Sequence, residues 1–372
     1  MGSIFGNNIK VSLFGESHGK AIGVNIDGLP PGLKLNMDNI RQELARRSPG
    51  KDRLSTERRE TDEFEILSGY FNDRTTGTPL CAIIRNEDIK SLDYDKIKDL
   101  MRPSHADYSG HIKYHGYNDY RGGGHFSGRL TAPLVFAGAI AKEILRKEEI
   151  SIGSHIKSIG HIEDISFDYV DINIETIKHL NKSEFPVLED SKEKEMKDLI
   201  IKTKKEGDSI GGTIETAIIN LPAGLGSPYF DALDANLAKL IFSVPGVKGL
   251  EFGAGFNISK IKGSEANDEM YIKDGRVRTY TNNSGGLVGG ISNGMPIIFR
   301  SAIKPTSSIA KRQRTVDIGK AIDSSISIEG RHDPCIVQRV LPVVDAVAAI
   351  AIVDLLIEAK IYEGLDKRGE RL

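Results

Sequence analysis

Two long apolar segments, at residues 130–145 and 340–357, constrain the fold more than any other feature of this chain. The first runs for little more than a dozen residues before Lys142, and the second carries Asp345 and Asp354. A membrane span needs about 20 predominantly apolar residues, which neither segment supplies. Helices of this composition belong in a core instead. We therefore predict two buried core helices.

The segments around these two helices mostly show the patterns of strands. Apolar and alternating runs between turn residues predict strands at residues 9–14, 20–27, 80–85, 210–221, 247–252 and 295–303. Apolar stripes at helical spacing predict further helices at residues 37–47, 190–206 and 231–242. The order is mixed, so we predict an α+β sandwich of helices on largely antiparallel sheets. No low-complexity linker divides the chain, which predicts a single domain over residues 1–372.

The composition excludes several classes of protein. A formal net charge of -2 argues against a chain whose main partner is nucleic acid. The two cysteines, Cys81 and Cys335, lie far apart in no C-x-x-C arrangement, so neither a disulfide framework nor a metal site is indicated. Residues 1–10 lack the apolar core of a signal peptide. We expect a cytoplasmic protein without membrane attachment.

The reactive residues cluster in glycine-rich breaks between the apolar segments. These breaks are G-E-S-H-G at residues 15–19, R-P-S-H-A-D at 102–107, R-G-G-G-H-F-S-G-R at 121–129 and G-R-H-D-P-C at 330–335. Imidazoles, guanidiniums and hydroxyls on such loops suit an anionic substrate that needs proton transfer. The last two breaks directly precede the apolar helices, whose positive N-terminal ends favour anions. The chain therefore has the pattern of an enzyme.

Each break has a competing interpretation. G-E-S-H-G matches the G-x-S-x-G nucleophile elbow, but a strand follows it where a hydrolase needs a helix, so we reject a hydrolase. His18 is then a proton donor or anion ligand, or an incidental histidine in a hairpin turn. His105, beside Arg102, suits general acid–base chemistry. The third break is no dinucleotide fingerprint, because Ser127 stands at the last glycine position.

Two further segments offer cations to an anion. K-P-T-S-S at residues 304–308 combines one lysine with three hydroxyls, although such a loop is weak evidence alone. Five arginines surround the S-P-G turn at residues 48–50, namely Arg46, Arg47, Arg53, Arg58 and Arg59. They form either a solvated basic face balanced by Glu57 and Glu60 or a site for a multi-anionic substrate.

Taken in order, these motifs closely resemble the chorismate synthase family. The set comprises G-E-S-H-G, R-R-S-P-G, R-P-S-H-A-D, R-G-G-G-H-F-S-G-R-L-T-A, K-P-T-S-S and G-R-H-D-P-C, and it runs from about residue 9 to about residue 361. The resemblance implies a β-α-β sandwich assembled as a homotetramer. It also implies a carbon–oxygen lyase that converts 5-enolpyruvylshikimate 3-phosphate to chorismate and phosphate, the last step of the shikimate pathway. Reduced FMN is required and is not consumed overall.

The resemblance also implies roles for individual residues. His18 would protonate the departing phosphate, and His105 would stabilise or protonate the reduced flavin. Asp333 would assist the flavin N5 in taking the ring proton, with Ser17 and Ser127 as proton relays. Substrate arginines would be Arg47, Arg53, Arg102, Arg129 and Arg331. Flavin contacts would come from His125, Phe126, Ser127, Gly289, Arg331, Lys304, Pro305, Thr306, Ser307 and Ser308.

The chain departs from the family pattern at two places in the expected flavin site. His125-Phe126-Ser127 stands where many members have Arg-Ser-Ser, and Pro245-Gly246 stands where several have Asn-Ala. The source of reduced flavin stays open between a separate flavin reductase and reduction by NADPH on the protein itself. Two other classes also stay open: an FMN-dependent oxidoreductase, and a nucleic-acid binder that uses the arginine loop with a steep salt dependence.

Overall fold

The computed structural model describes residues 2–48, 62–86, 98–328 and 333–369, with side chains described as far as residue 360. Its helices are α1 (Met37–Arg47), α2 (Asp107–Lys113), α3 (Thr131–Lys147), α4 (Ile174–Lys182), α5 (Asp190–Lys205), α6 (Leu233–Ile241), α7 (Gly263–Ala266) and α8 (Val337–Gly369). Short 3₁₀ helices span Arg121–Phe126, Gly128–Leu130, Tyr229–Asp231 and Gly255–Lys260.

The strands of the same residues form two five-stranded antiparallel sheets and several hairpins. Their order is β1-β2-β3-β7-β4 in the first sheet and β11-β16-β10-β8-β9 in the second. The strands are β1 (Ile4–Phe5), β2 (Lys10–Gly15), β3 (Ala21–Asp27), β4 (Phe64–Ser68), β5 (Tyr70–Phe71), β6 (Arg74–Thr75), β7 (Leu80–Arg85), β8 (Ser151–Ile159), β9 (Ile162–Glu163), β10 (Gly212–Ile219), β11 (Val247–Phe252), β12 (Met270–Lys273), β13 (Arg276–Thr279), β14 (Leu287–Val288), β15 (Ile291–Ser292), β16 (Ile297–Ile303), β17 (Gln313–Asp317) and β18 (Ile322–Ile326).

The two apolar helices lie between the sheets, as the sequence predicts. Helix α3 packs on β3 of the first sheet, helix α8 packs on β8 and β10 of the second, and the helices pack on each other. The most apolar window of α8 is 94% buried inside the protein, so this helix is used as a core element. A Cβ on Gly138 of α3 would overlap Ala346 of α8, which shows how closely the helices approach. The predicted α+β sandwich with central helices is confirmed.

Buried charges tie the central helices together. Arg46 of α1 lies 2.9 Å from Glu43 and 3.3 Å from Asp345 of α8, and Lys142 of α3 lies 2.9 Å from Glu43. Burial alone would raise the pKa of Glu43, but Lys142 and Arg46 outweigh it and lower the pKa to about 2. Ser154 of β8 donates a hydrogen bond to Asp345, so the second sheet joins the same cluster. Two cations and two carboxylates thus balance within the core.

Among the described residues, strand β8, helices α2, α4 and α7 and eleven shorter strands are absent from the sequence-based predictions. The residues of β8 are buried on both faces, although they include Ser154, His155 and Ser158. A strand buried on both sides does not alternate, and its polar residues hide the apolar signal. The predicted elements that do exist begin and end within about three residues of the observed ones, apart from the longer α8.

A row of alternating charges crosses the outer face of the second sheet. His155, Glu215, Arg300 and Glu251 lie opposite one another on β8, β10, β16 and β11. The fully buried His155 ring contacts Glu215 through Nε2 and Asp164 through Nδ1, both at 3.0 Å. Burial alone would lower the pKa of His155, but the two carboxylates outweigh it and raise the pKa. The imidazolium is therefore a structural cation.

Replacing His155 with Gln removes this cation from between two buried carboxylates. Breaking a buried ion pair costs about 3–5 kcal/mol, and we expect a loss of that order in the free energy of unfolding at about pH 6. The folded protein holds the proton more tightly than the unfolded chain, whose histidine pKa is about 6.5. The stabilisation in the native protein is therefore complete below that pH and is lost as the pH rises through the folded pKa.

Denaturant unfolding at about pH 6 and about pH 9 should thus show a smaller difference between native protein and variant at the higher pH. His161→Gln is the matched control, because His161 is an exposed residue in the turn between β8 and β9. It should change neither value. An equal loss for His155→Gln at both pH values would mean that His155 is neutral in the folded protein.

Candidate active site

The G-E-S-H-G motif forms the turn between β2 and β3. A strand follows it, as predicted, so the geometry of a nucleophile elbow is absent here. His18 is 7% exposed, and its Nδ1 lies 3.1 Å from the Ser17 hydroxyl. A Cβ on Gly122 would overlap the His18 ring, which therefore lies directly against the glycine loop. His18 is more than an incidental turn histidine, because distant parts of the chain enclose it.

The glycine loop separates two histidines. Gly122, Gly123 and Gly124 have φ values of 59°, 89° and 54°, a left-handed conformation in which only glycine is unstrained. A Cβ on Gly123 would lie 3.1 Å from Cε1 of His105. The bare backbone thus contacts His18 through one glycine and His105 through the next.

The K-P-T-S-S segment joins this group from the end of β16. Lys304 Nζ donates to the Ser104 carbonyl at 3.0 Å and to the Ser307 hydroxyl at 2.7 Å. The Thr306 hydroxyl donates to the Asp333 carbonyl at 2.9 Å. The segment therefore connects the R-P-S-H-A-D turn with the G-R-H-D-P-C turn.

Arginines meet a buried carboxylate on the other side of the site. Asp62 is 2% exposed and accepts hydrogen bonds from Arg47 Nε at 3.1 Å and from Arg129 Nη1. Burial alone would raise the pKa of Asp62, but Arg47 and Arg129 outweigh it and lower the pKa. Arg339 donates to the Arg47 carbonyl at 3.1 Å and to the Asp333 carboxylate. Arg47 is itself 2% exposed, so the solvated-face interpretation fails for this residue.

One amide closes these contacts into a ring. Asn86, just after β7, accepts a hydrogen bond from Arg129 Nε at 3.2 Å and donates one to the Gly19 carbonyl at 2.9 Å. The ring of contacts passes through His18, Gly122, Gly123, His105, Ser104, Lys304, Thr306, Asp333, Arg339, Arg47, Asp62, Arg129 and Asn86. Three of these, Asp62, Asn86 and Arg339, were missed from the sequence, because each is a single polar residue outside a recognisable motif.

Several predicted site residues lie outside the ring. His125 has one ring nitrogen 2.9 Å from the Gly15 carbonyl and the other 3.0 Å from the Ser3 hydroxyl. Phe126 packs on helix α2, and the Ser127 hydroxyl accepts from the backbone of Arg129. Gly289 follows β14, near the beginning of β16, whereas Lys304 lies beyond the end of β16. Arg53 and Arg331 fall outside the described residues, as do Arg58 and Arg59.

The ring borders a cavity at Gly123 and carries a partly buried lysine at Lys304. A cavity of about 260 Å³ opens beside Arg102, Asp107 and Gly123. Burial and the neighbouring Lys248 lower the pKa of Lys304. An anion that binds near Lys304 and Lys248 reduces the repulsion between their positive charges. Together with the hydroxyls of residues 306–308, Lys304 offers several hydrogen-bond donors to an anion.

Comparison with known proteins shows relatives that are similar to this chain in sequence and in fold. A family model described as chorismate synthase matches residues 9–357. The chorismate synthase of Thermococcus kodakarensis is 46% identical over 361 residues, covering 97% of this chain and 99% of its own length. That of Pyrococcus abyssi is 48% identical over 359 residues, covering 96% and 98%. A crystal structure of a chorismate synthase superposes with a TM-score of 0.75 at 31% identity, covering 95% of this chain and 93% of its own.

The matches span nearly the full length of this chain and of each similar protein, so they cover every motif that contributes to the ring of contacts. Enzymes of this family are lyases that act on a small-molecule substrate with the help of a reduced flavin. A site that gathers arginines, histidines and a lysine through one ring of contacts has the residue types that such a reaction needs. By sequence and by fold, the chain belongs to the chorismate synthase family.

Proposed function

We propose that this chain performs the trans-1,4-elimination of phosphate from 5-enolpyruvylshikimate 3-phosphate to give chorismate, with reduced FMN as its flavin. The observation that carries the proposal is the ring of contacts, which gathers His18, His105 and Asp333 from three distant loops. The reaction breaks one carbon–oxygen bond to phosphate and one ring carbon–hydrogen bond. Its atoms balance without a change of oxidation state overall.

Guanidiniums would bind the anionic groups of this substrate. It carries a phosphate and two carboxylates, and Arg47 and Arg129 already converge on one buried carboxylate. Arg102, Arg53 and Arg331 complete the proposed substrate set. Because Asp62 holds Arg47 and Arg129 in place before substrate arrives, little reorganisation is needed on binding.

Proton transfers would be divided among three side chains. His18, with the Ser17 hydroxyl 3.1 Å from its Nδ1, would deliver a proton to the departing phosphate. His105 would hold a proton beside the flavin. Asp333, whose carboxylate is oriented by Arg339, would help to accept the ring proton, with Ser127 as a further relay.

The flavin would be held by residues 304–308 and 125–127 together with Arg331. When bound, reduced FMN supplies electron density that helps the phosphate to leave. Lys304 and the three hydroxyls of its segment would bind the flavin phosphate. NADPH is needed only if the protein reduces its own flavin. Otherwise a separate flavin reductase supplies the reduced FMN.

Assembly would complete the flavin site. Gly289 lies before the seven-residue strand β16, which spans about 20 Å, and Lys304 lies directly after it. We therefore propose that residues 1–372 form a single cytoplasmic domain that assembles as a homotetramer, in which Gly289 lines the site of a neighbouring copy. Exposed apolar side chains support association, including Tyr229, Phe230, Phe256, Met270 and Ile272.

A redox balance separates this activity from that of an FMN-dependent oxidoreductase. Under strictly anaerobic conditions with reduced FMN, we expect one chorismate and one phosphate per substrate and no stoichiometric consumption of reductant. Oxidised FMN alone should give no product. Chorismate absorbance, released phosphate and remaining reductant are measured in one reaction. One reductant oxidised per product would mean that the chain is an oxidoreductase.

Arginine substitution tests the substrate site. Arg47→Ala removes a charged hydrogen-bond donor that contributes about 1.5–3 kcal/mol, so the substrate Kd should rise by at least about tenfold. FMN affinity without substrate should change little. Arg41→Ala on the same helix is the control, because Arg41 is exposed and its ion pair is with Asp38 of that helix. Calorimetric titration of folded proteins gives both constants, and native substrate affinity in Arg47→Ala would remove this residue from the site.

Histidine substitution separates binding from chemistry. His18→Ala or His105→Ala should lower the single-turnover rate by about 10²–10⁴-fold, the usual contribution of a positioned acid or base, while both ligands still bind. The exposed His179 of α4 provides a control variant, His179→Ala, with native rates expected. Native rates in both site variants would leave the elimination without its proposed proton donors.

A further inference from the structure

The His105 ring contacts a carboxylate as well as the glycine loop. Its Nδ1 lies 2.6 Å from Oδ1 of Asp107, the first residue of helix α2. Arg102 binds the same carboxylate at two points, with Nε 2.7 Å from Oδ2 and Nη2 2.7 Å from Oδ1. The backbone N–H of Arg102 also donates to Oδ2 at 3.1 Å. Arg102, Asp107 and His105 thus form one partly buried cluster, here named the Asp107 cluster.

The distances in the Asp107 cluster decide where the hydrogens are. Burial alone would raise the pKa of Asp107, but hydrogen bonds from His105 and Arg102 hold it well below its usual range. An ionised carboxylate only accepts, so the 2.6 Å contact requires a hydrogen on Nδ1 of His105. Arg102 Nη2 also lies 3.2 Å from Nδ1, but it is closer to Oδ1 and donates there. Oδ1 of Asp107 therefore accepts from both nitrogens, and this shared acceptor brings Nη2 of Arg102 and Nδ1 of His105 to 3.2 Å from each other.

The backbone around His105 fixes the other edge of the ring. Ser104 has a φ of 57°, a left-handed conformation that is unfavourable for a residue other than glycine. Its carbonyl accepts from Lys304 at 3.0 Å and from Ser307 at 2.9 Å, which holds the turn in place. A Cβ on Gly123 would lie 3.1 Å from Cε1 and 3.3 Å from Nε2. With Nδ1 on Asp107, the Nε2 edge faces the glycine loop.

We propose that Asp107 is a positioning residue that fixes His105 as the Nδ1–H tautomer and makes Nε2 the nitrogen that exchanges a proton in the site. The tautomer follows from the geometry alone, whereas its use in turnover rests on the proposed function. Other titratable side chains near the Asp107 cluster are Lys304 and those that line the adjoining cavity, namely Lys98, Asp99, His111, Asp119 and Tyr120. Among the described residues, Asp107 is the carboxylate that bonds the His105 ring.

Ring nitrogen resonances test the tautomer without any ligand. In ¹H–¹⁵N spectra of the native protein at alkaline pH, His105 should show the hydrogen on Nδ1, with His105→Ala identifying the signal. Asp107→Asn should move the hydrogen to Nε2, whereas Asp107→Glu keeps a carboxylate and should retain Nδ1–H. Asp119→Asn is the matched control, because Asp119 makes the same two-point contact with Arg121 at 2.9 and 2.8 Å. An Nε2–H signal in the native protein would overturn the proposal.

A double-mutant cycle tests the route by which Asp107 acts. In single-turnover kinetics, Asp107→Asn should slow the reaction by about 10²-fold at saturating substrate, and Asp107→Glu should recover part of this loss. In a His105→Ala background, Asp107→Asn should cost nothing further. The same loss in both backgrounds would mean that Asp107 acts through Arg102 or the fold, which contradicts the proposal.

The two experiments fail separately. If His105→Ala turns over at the native rate, the proposed role of His105 in the reaction is wrong, and the inference about turnover falls with it. The spectra still decide the tautomer in that case. If the tautomer is wrong while His105→Ala is slow, the proposed function stands without a positioning role for Asp107.

Discussion

The close packing of helix α3 against helix α8 is the contact on which the rest of the molecule depends. The helices touch where Gly138 leaves no room for a side chain against Ala346. Both helices begin at the candidate site. The Arg47 guanidinium contacts Thr131 at the start of α3, and the Arg47 carbonyl accepts a hydrogen bond from Arg339 near the start of α8. A larger residue at Gly138 would therefore separate two parts of the active site as well as two parts of the core.

Two buried carboxylates divide the cations of the central helices between structure and function. Asp345 binds Arg46 and Lys142 inside the core, where Ser154 also donates to it. Asp62 binds the next arginine along, Arg47, together with Arg129 at the edge of the site. Adjacent arginines on one helix thus serve different purposes, because successive residues of a helix point in directions about 100° apart. The Asp62 carboxylate reduces the repulsion between the guanidiniums of Arg47 and Arg129. In the proposed function, a substrate with several anionic groups needs these two cations close together.

The two carboxylate-bound histidines illustrate how environment decides the use of one chemical group. His155 lies between Asp164 and Glu215 with no exposed surface, so its charge can only stabilise the sheet. His105 is bound by Asp107 on one edge and by bare glycine backbone on the other. The His105 side chain is partly exposed, unlike that of His155, and can exchange a proton with a ligand. Burial and the neighbouring backbone, rather than the residue type, make this distinction.

Local patterns in the sequence determined the central helices, three strands of each five-stranded sheet, the antiparallel sandwich and the loops that carry His18, His105 and Asp333. They did so because apolar periodicity and glycine turns act over a few residues. Strand β8 was missed because its buried polar residues find partners on other strands. The residues that connect these loops, Asp62, Asn86 and Arg339, were decided only by the tertiary structure. Hydrogen bonds between residues far apart in the chain, such as Arg129 with Asp62 or Lys304 with Ser104, leave no periodic signal, so only the packed helices and sheets determine them.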